Sequence, residues 1–373
     1  MTPSLQIVGL GTAVPELSVP QSVAEANAIA ISAFTSKEQR TLGVLFRTSG
    51  VKSRHSVLLE PGPEGEPVRQ VFYQPRRFPE DGGPTTSQRM ARYAESAPHL
   101  GAQAARRALD SANLAAPSID HLVTVSCTGF GAPGFDLQLI DELGLNRGVS
   151  RTHVGFMGCH GALNGLRVAR GLAAAEPGST VLVAAVELCS LHHFYGWHPE
   201  RLVANALFAD GAAALVGRAG PPFTGDATDG DDTRWSLVAS GSHVLPDSAD
   251  LMSWHIRDHG FEMTLSAQVP NRIGVSLGPW MESWLARSGT SLAAIRSWAV
   301  HPGGPRILGA VETALGLPPE ALAPSRDILA SHGNMSSPTV LFILEQLRAV
   351  SAPRPCVALG FGPGLTIEAA LFD

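Results

Sequence analysis

The sequence predicts an α/β fold built from two similar halves. Short apolar segments that suit buried strands alternate with longer segments of helical periodicity, an order typical of α/β proteins. The spacing of the elements also repeats along the chain. Cys159 lies 21 residues before the strand predicted at Thr180, and Asn334 lies 21 residues before the strand predicted at Pro355. A duplicated unit explains this repetition.

Each element follows from its own local pattern. Runs of β-branched and aliphatic residues bounded by turns predict strands at 121–127, 180–186, 212–216, 236–240, 297–301, 355–359 and 365–370. Apolar residues at helical spacing predict helices at 87–112, 162–175, 275–288, 305–315 and 339–349. Together these segments supply alternating strands and helices in both halves of the chain.

Two stretches rich in Pro, Gly and acidic residues interrupt the alternation. The first, at about 60–86, predicts a surface insertion, and the second, at 220–232, predicts a linker. We therefore predict an N-terminal half at 1–219 that carries the insertion, and a C-terminal half at 233–373.

Composition excludes several classes of function. The net charge of -6, with scattered basic residues, gives no sign of a nucleic-acid partner. No apolar run approaches the roughly 20 residues that span a bilayer, and the first residues lead into a strand without a signal sequence, so we expect a cytoplasmic protein. The spacing of Cys and His residues predicts neither disulfides nor a metal site. The glycines at 9–13 lack a full dinucleotide fingerprint, so no nucleotide cofactor is expected.

Cys159 is the residue that points most directly to chemistry. It lies in the segment 154–162 (VGFMGCHGA), where small residues open a helix, and the N–H groups at a helix start favour a thiolate. Taken alone, such a cysteine is also typical of a small buried hydrophobic residue. The duplication places Asn334 at the matching point of the second half, and His301 ends a strand there. We therefore expect the three side chains to share one site.

A thiol, an imidazole and an amide suit acyl transfer. The imidazole of His301 can take the proton of Cys159 to give an ion pair, while His301 and Asn334 donate hydrogen bonds to a developing oxyanion. A Cys-His-Asn hydrolase uses the same residue types with Asn orienting His. Residue identity therefore leaves both reactions open.

Four segments carry a family resemblance. The segments 298–308 (WAVHPGGPRIL) and 332–344 (HGNMSSPTVLFIL) resemble signature segments of the type III polyketide synthases, the chalcone-synthase-like family, and 206–214 (ALFADGAAA) and 360–368 (GFGPGLTIE) match two more. The resemblance extends from about Leu5 to Phe372, and this chain looks like a bacterial-type member. It implies the thiolase fold, a duplicated α-β-α-β-α five-layered sandwich, and a homodimer.

The resemblance also assigns roles to residues. Cys159 would carry the starter and the growing chain as thioesters, while His301 and Asn334 would bind the thioester carbonyl and stabilise the enolate formed from malonyl-CoA. Phe208 would be the gatekeeper between the CoA tunnel and the cavity. The remaining assignments are the second gatekeeper Met263, where the family typically has Phe; Ala132 at the dimer contact; Gly360, Phe361, Gly362, Pro363 and Gly364 in the loop lining the cavity floor; and Arg47, Lys52 and Arg54 near the CoA phosphates.

The function implied is the iterative decarboxylative condensation of malonyl-CoA onto an acyl-CoA starter, followed by cyclisation to an aromatic or pyrone product. CoA thioesters would serve as substrates, with no resident cofactor. Three alternatives stay open: a ketoacyl synthase III-like enzyme that stops after one condensation, a Cys-His-Asn hydrolase, and an inactive acyl-binding subunit.

Overall fold

One continuous nine-stranded sheet lies at the centre of the computed structural model, which describes residues 4–63, 66–221 and 235–373. Most of the predicted linker lies outside the described residues. The strands are β1 (Ser4–Ala13), β2 (Ser18–Pro20), β3 (Ser53–His55), β4 (Leu59–Glu60), β5 (Arg69–Gln70), β6 (His121–Ser126), β7 (Ser150–Gly155), β8 (Thr180–Leu188), β9 (Asp210–Gly220), β10 (Trp235–Val244), β11 (Met252–Arg257), β12 (Gly260–Leu265), β13 (Ser297–Val300), β14 (Cys356–Gly362) and β15 (Thr366–Phe372).

Ten α-helices are present in the described part of the chain. They are α1 (Gln21–Ser32), α2 (Ser36–Thr48), α3 (Thr86–Ala112), α4 (Phe135–Leu143), α5 (Gly161–Ala175), α6 (Pro199–Leu207), α7 (Val269–Arg287), α8 (Pro305–Leu315), α9 (Ala323–His332) and α10 (Thr339–Ala349). None of these described helices combines the length and hydropathy needed to cross a membrane.

The strand order of the sheet shows the duplication. Its order is β13-β14-β15-β10-β1-β9-β8-β6-β7, so the series β1, β9, β8, β6 of the first half matches the series β10, β15, β14, β13 of the second. In both series the first two pairings are antiparallel and the last is parallel. The halves join where β1 pairs with β10, with Leu5 opposite Leu237.

Three hydrophobic cores hold five layers together. The first core packs α3 and α4 against the first half of the sheet, and the third packs α7 and α8 against the second half. Between them, α5 and α10 contribute to a central core that contains strand residues of both halves. The five-layered, duplicated sandwich implied by the family resemblance is therefore confirmed.

Small residues set the position of α5, the helix that follows Cys159. A Cβ atom at Gly161 would lie 3.0 Å from Val125, and one at Gly165 would lie 2.8 Å from it. Glycine at both points lets α5 lie directly on β6, because a side chain there would hold the helix away from the sheet. This close packing fixes the start of α5 at the centre of the protein.

Candidate active site

The turn that carries Cys159 is held by contacts on both sides. Cys159 lies in a short 3-10 turn, Gly158–His160, between β7 and α5. Gly158 has φ +72, and a Cβ there would lie 2.2 Å from Pro363, so only glycine fits this turn. The Gly158 N–H also donates to the sulfur of Cys127 at 2.9 Å. The turn leaves Cys159 buried, with 8% of the residue exposed.

Asn334 reaches Cys159 from the other half of the protein. Its N–H donates to the Leu207 carbonyl and its carbonyl accepts from the Ala209 N–H, both at 2.9 Å. Asn334 Oδ1 accepts from the Ser336 N–H at 2.8 Å, which leaves the amide NH2 group to donate to the thiol of Cys159. The duplication therefore brings Asn334 to the nucleophile, as the spacing predicts.

His301 lies at the end of β13 with its imidazole buried. Its backbone N–H donates to the Leu359 carbonyl at 2.8 Å, which fixes the main chain beside β14. Neither Nδ1 nor Nε2 has a hydrogen-bond partner among the described residues. Burial lowers the pKa of His301 to about 3, so the imidazole is neutral at physiological pH. A buried imidazole with both nitrogens open is suited to bind a substrate atom.

The resting thiol is neutral as well. Burial raises the pKa of Cys159 to about 12, although Ser336, whose Oγ lies 3.5 Å from the sulfur, and Asn334 both lower it. The described structure thus holds a thiol and an imidazole that are both uncharged and share no hydrogen bond. This corrects the ion pair expected from the sequence, because burial penalises each isolated charge more than the helix start favours the thiolate.

Three adjoining cavities lie around these residues. A small compartment of about 20 Å³ is lined by Cys159, His301 and Asn334. It shares Leu207 and Gly303 with an outer cleft of about 480 Å³. On its other side it adjoins an inner cavity of about 200 Å³. The site therefore has an approach from solvent and a separate space beyond the nucleophile.

Phe208 and Met263 lie where the compartment meets the inner cavity, since both line each of these spaces. Leu265 lines the compartment and the outer cleft. A substrate that passes from the cleft towards the inner cavity therefore moves between apolar side chains. The family resemblance places the gatekeepers between the CoA tunnel and the cavity, but neither Phe208 nor Met263 is among the described residues that line the outer cleft. Their gatekeeping role stays a prediction.

The other predicted cavity residues are distributed unevenly. Phe361 lines the compartment and Pro363 lines the inner cavity. Gly360 and Gly362 instead pack against His160, where Cβ atoms would lie 3.1 and 2.4 Å from its side chain. Gly364 has φ +73, with nothing within 4 Å of a Cβ.

Ala132 lies away from this cavity system. It is exposed and lines an open surface cavity of about 420 Å³ together with Phe130 and Leu137. Within one subunit, therefore, its small side chain gives no extra room beside the nucleophile.

One of the three predicted CoA-binding residues, Arg54, needs correction. Arg54 is only 3% exposed, and its guanidinium donates to Gln21 and to the carbonyls of Asn205, Ala206 and Phe208. A phosphate outside the fold could not reach it.

Arg47 and Lys52 are exposed, but neither is among the described residues that line the outer cleft. Arg47 pairs with Glu25 at 3.2 Å. The basic residue that does line the cleft is Arg306, in the HPGGPRIL segment.

Glu187 is a site residue that the sequence interpretation missed. Its carboxylate is fully buried and accepts from the Cys127 N–H, the Thr128 hydroxyl and the Ser337 hydroxyl, at 2.7–3.1 Å. Burial nevertheless raises its pKa to about 7, and its charge raises the pKa of Cys159. A carboxylate inside the apolar run of β8 was the available signal.

The wall of the inner cavity was also missed. His192 stacks on Phe261 with ring centroids 4.1 Å apart, and Trp254 packs edge-on against both. Cys127 and Cys189, which the sequence suggests are small buried residues, are buried but also line this cavity. These residues come from distant segments, so no local motif links them.

Comparisons with known proteins agree with this architecture. A family model described as the N-terminal domain of chalcone and stilbene synthases matches residues 3–221, and the model of the C-terminal domain matches 236–373. The chain is 32% identical to the α-pyrone synthesis polyketide synthase-like Pks18 of Mycobacterium tuberculosis, over 98% of this chain and 90% of that protein. It is 38% identical to the 1,3,6,8-tetrahydroxynaphthalene synthase of Streptomyces peucetius subsp. caesius, over 73% of this chain and 72% of that protein.

Solved structures are similar over the full length. The type III polyketide synthase domain of Steely1 from Dictyostelium superposes with a TM-score of 0.88 at 28% identity, covering 99% of each chain. PKS-I from the brown alga Ectocarpus siliculosus gives a TM-score of 0.86 at 30% identity, covering 100% of this chain and 99% of that one.

Proposed function

Because the chain belongs to the chalcone and stilbene synthase family, we propose that Cys159, His301 and Asn334 perform the family's reaction. This reaction is the iterative decarboxylative condensation of malonyl-CoA onto an acyl starter, with cyclisation of the product. The observation that carries the proposal is the compartment lined by these three side chains, which shares lining residues with a cleft on one side and with a cavity on the other.

Loading of the starter uses the neutral thiol and imidazole. A free nitrogen of His301 takes the proton of Cys159 as the sulfur attacks the acyl-CoA carbonyl, so the charges that form compensate each other. The NH2 group of Asn334 donates to the oxyanion. The bond to the CoA sulfur then breaks, and His301 returns the proton to that sulfur, which leaves an acyl thioester on Cys159.

Extension uses the same two donors. With malonyl-CoA in place, the bond to its carboxylate breaks, CO2 leaves, and the electron pair forms an enolate whose oxygen accepts from His301 and Asn334. The enolate carbon attacks the acyl carbonyl of the thioester on Cys159. The bond between that carbonyl and the Cys159 sulfur then breaks, and the sulfur leaves as a thiolate. Phe208 and Met263 disfavour the malonyl carboxylate, because an apolar wall stabilises a charged group less than water does.

CoA itself belongs in the outer cleft. Its walls come from α2 and from the start of α8, and Arg306 there can pair with a phosphate. We propose that acyl-CoA and malonyl-CoA both enter by this route, as substrates, with no resident cofactor. The cytoplasm is the compartment we propose, because all four cysteines are free thiols, as in proteins kept under reducing conditions.

The arrangement of Asn334 argues against the hydrolase alternative. In a Cys-His-Asn protease, Asn orients the His. Here Asn334 donates to Cys159, while the imidazole nitrogens of His301 have no partner among the described residues. Both donors are thus available to a substrate oxygen, as condensation requires.

The purified protein, incubated with malonyl-CoA and a panel of acyl-CoA starters, is expected to give cyclised products with two or more extensions. Mass spectrometry of the products tests this. A product with a single extension would support the ketoacyl synthase III-like alternative, release of free acid alone would support the hydrolase, and unchanged substrate would support the inactive subunit.

We propose a homodimer formed through the edge of the sheet. Strand β7 ends the described sheet and most of its residues are exposed, and such an edge can pair with another strand. Phe130, Phe156 and Met157 are 54%, 40% and 44% exposed beside it. An apolar patch next to an open edge suits a twofold contact with a second copy.

Phe130→Asp is expected to shift the protein from dimer to monomer, because a carboxylate would have to be buried in the contact. Analytical ultracentrifugation at matched concentrations measures the change. Val275→Asp is the control, since Val275 is 71% exposed on α7 and should leave the dimer intact. If both variants stayed dimeric, or if both dissociated to the same extent, the result would contradict this interface.

A further inference from the structure

Helix α6 ends beside the active site, where Phe208 follows it and Asn334 pairs with its main chain. The end of a helix leaves its last carbonyl groups without partners in the helix, and a buried carbonyl needs a hydrogen bond. Asn205, Ala206 and Leu207 are all buried. The Leu207 carbonyl accepts from the Asn334 N–H at 2.9 Å. The carbonyls of Asn205, Ala206 and Phe208 need donors from elsewhere.

Arg54 supplies these donors. Its Nη1 donates to the carbonyls of Asn205 and Phe208 at 2.8 and 2.9 Å, and its Nη2 donates to the Ala206 carbonyl at 2.6 Å. Nε and Nη2 also donate to Oε1 of Gln21, at 3.1 and 2.6 Å. A guanidinium has five N–H groups, and these contacts use all of them. The whole hydrogen-bonding capacity of Arg54 is therefore directed to the end of α6 and to Gln21.

Gln21 holds the guanidinium in this orientation. While its Oε1 accepts from Arg54, its Nε2 donates to the Ala206 carbonyl and to Ser49 Oγ, each at 2.9 Å. An amide turned by 180° would point its NH2 group at the guanidinium, so the surrounding donors and acceptors fit one orientation only. Gln21 begins α1 and Ser49 follows α2. The end of α6 is thus tied to two other helices through Arg54.

The charge of Arg54 also suits this place. Burial lowers the pKa of Arg54 to about 10, although the charge of Asp210 raises it, so the side chain is a cation at neutral pH. The C-terminal end of a helix carries a partial negative charge, and the guanidinium contacts this end of α6 through three carbonyls. The helix end and Asp210 together offset the cost of burying the cation.

Asn334 depends on the same segment for its position. Its N–H and its carbonyl are bonded to Leu207 and Ala209, the residues on either side of Phe208. The segment is therefore held by Arg54 at the Phe208 carbonyl and by Asn334 at its two neighbours. A shift of this segment moves the main chain of Asn334, and with it the amide that donates to Cys159.

The structure also has a space into which the segment could move. Phe208 and Arg54 both line a cavity of about 50 Å³, separate from the compartment that contains Cys159. Arg54 is not among the described residues that line this compartment. It can therefore act on the reaction only through the segment that it holds.

We propose that Arg54 is a positioning residue for decarboxylation and condensation, because it fixes the end of α6 and thereby holds Phe208 and Asn334 in place beside Cys159. The inference rests on the proposed function, in which Asn334 donates to the enolate oxygen. That donor must lie at hydrogen-bond distance from the oxygen when the charge develops. A small displacement of Asn334 therefore lowers the rate, while CoA in the outer cleft binds as before.

Arg54→Lys tests this role. Lysine keeps the charge, but its single ammonium group cannot replace a planar guanidinium that contacts three carbonyls and Gln21 together. We expect kcat for decarboxylation of malonyl-CoA to acetyl-CoA to fall about tenfold. The KM for malonyl-CoA should stay within about twofold of that of the parent, because substrate binding is unaffected. An unchanged kcat would overturn the proposal.

A double-mutant cycle with Asn334→Ala separates positioning from a general loss of stability. If Arg54 acts through Asn334, Arg54→Lys should change the residual decarboxylation of Asn334→Ala by less than about twofold. Equal losses in both backgrounds would overturn the proposal. Arg89→Lys is the matched control, because Arg89 is also fully buried but donates to the carbonyls of Leu191 and His193. Its effect on decarboxylation should be the same in both backgrounds.

Gln21→Met is a milder second variant, which removes the acceptor of two Arg54 N–H groups and leaves the carbonyls of α6 in place. It should lower the same kcat about threefold, and this effect should disappear in Asn334→Ala. Equal effects in both backgrounds would overturn the proposal even if Arg54→Lys did not fold. If the parent itself does not decarboxylate malonyl-CoA, the proposed function has failed, and the role of Arg54 fails with it.

Discussion

Cys159→Ala is expected to abolish product formation, lowering the condensation rate by at least about a thousandfold, because the chain loses the atom that carries the acyl group. Intact-protein mass spectrometry should find no acyl adduct after exposure to acyl-CoA. Decarboxylation of malonyl-CoA to acetyl-CoA should persist, since His301 and Asn334 still donate to the enolate oxygen. The variant thus distinguishes the role of the Cys159 nucleophile from the role of the two hydrogen-bond donors.

Cys356→Ala is the matched control for this experiment. Cys356 is also a fully buried free thiol, but it lies within the central core at the start of β14. Its replacement should leave an acyl adduct on Cys159 and product formation close to that of the parent. Condensation by Cys159→Ala at the parental rate would show that another residue carries the acyl chain.

Most of the central sheet could be predicted from sequence because strands such as β8 and β14 are buried at every position, whereas the exposed edge strand β7 was not predicted. The strand predicted at 180–186 is observed as Thr180–Leu188, and the helices predicted at 305–315 and 339–349 have those bounds. Where both faces of a strand are covered, hydropathy alone locates it. The repeated 21-residue spacing predicted the duplication correctly, because equivalent strands of the two halves occupy equivalent places in the sheet.

Other elements gave no such signal. Helix α6 and the β11–β12 hairpin were not predicted, although they line the inner cavity. Residues of both are only partly buried, with one side turned to the cavity, so their apolar pattern is incomplete. Cavity walls break the usual relation between hydropathy and burial, because they expose apolar side chains to an internal space.

The protonation state of the site depends on packing that spacing does not encode. The sequence places Cys159 at a helix start, which favours the thiolate. It does not reveal that His301 lies 1% exposed with neither nitrogen paired among the described residues, or that the carboxylate of Glu187 is buried nearby. Both facts favour the uncharged thiol.

Removal of His301 should change how alkylation of Cys159 depends on pH. In the parent, the thiol–imidazole pair holds the same number of protons from about pH 3 to about pH 12, the pKa values of His301 and Cys159. Proton transfer within the pair is then independent of pH and adds to the loss of the thiol proton to solvent. We therefore expect the rate of alkylation by iodoacetamide to rise less steeply with pH in the parent than in a variant without the imidazole, most clearly near pH 5, where the thiolate fraction is smallest.

In His301→Ala the thiol can lose its proton only to solvent. Because burial holds its pKa at about 12, the thiolate fraction, and with it the alkylation rate, should rise about tenfold for each pH unit. Malonyl-CoA decarboxylation should fall about a hundredfold or more, since one of two donors to the enolate is lost. His301→Gln, which restores an N–H donor but no base, should recover part of the decarboxylation and keep the steep pH profile of His301→Ala. If all three proteins gave the same pH profile, His301 would have no part in moving the proton of Cys159.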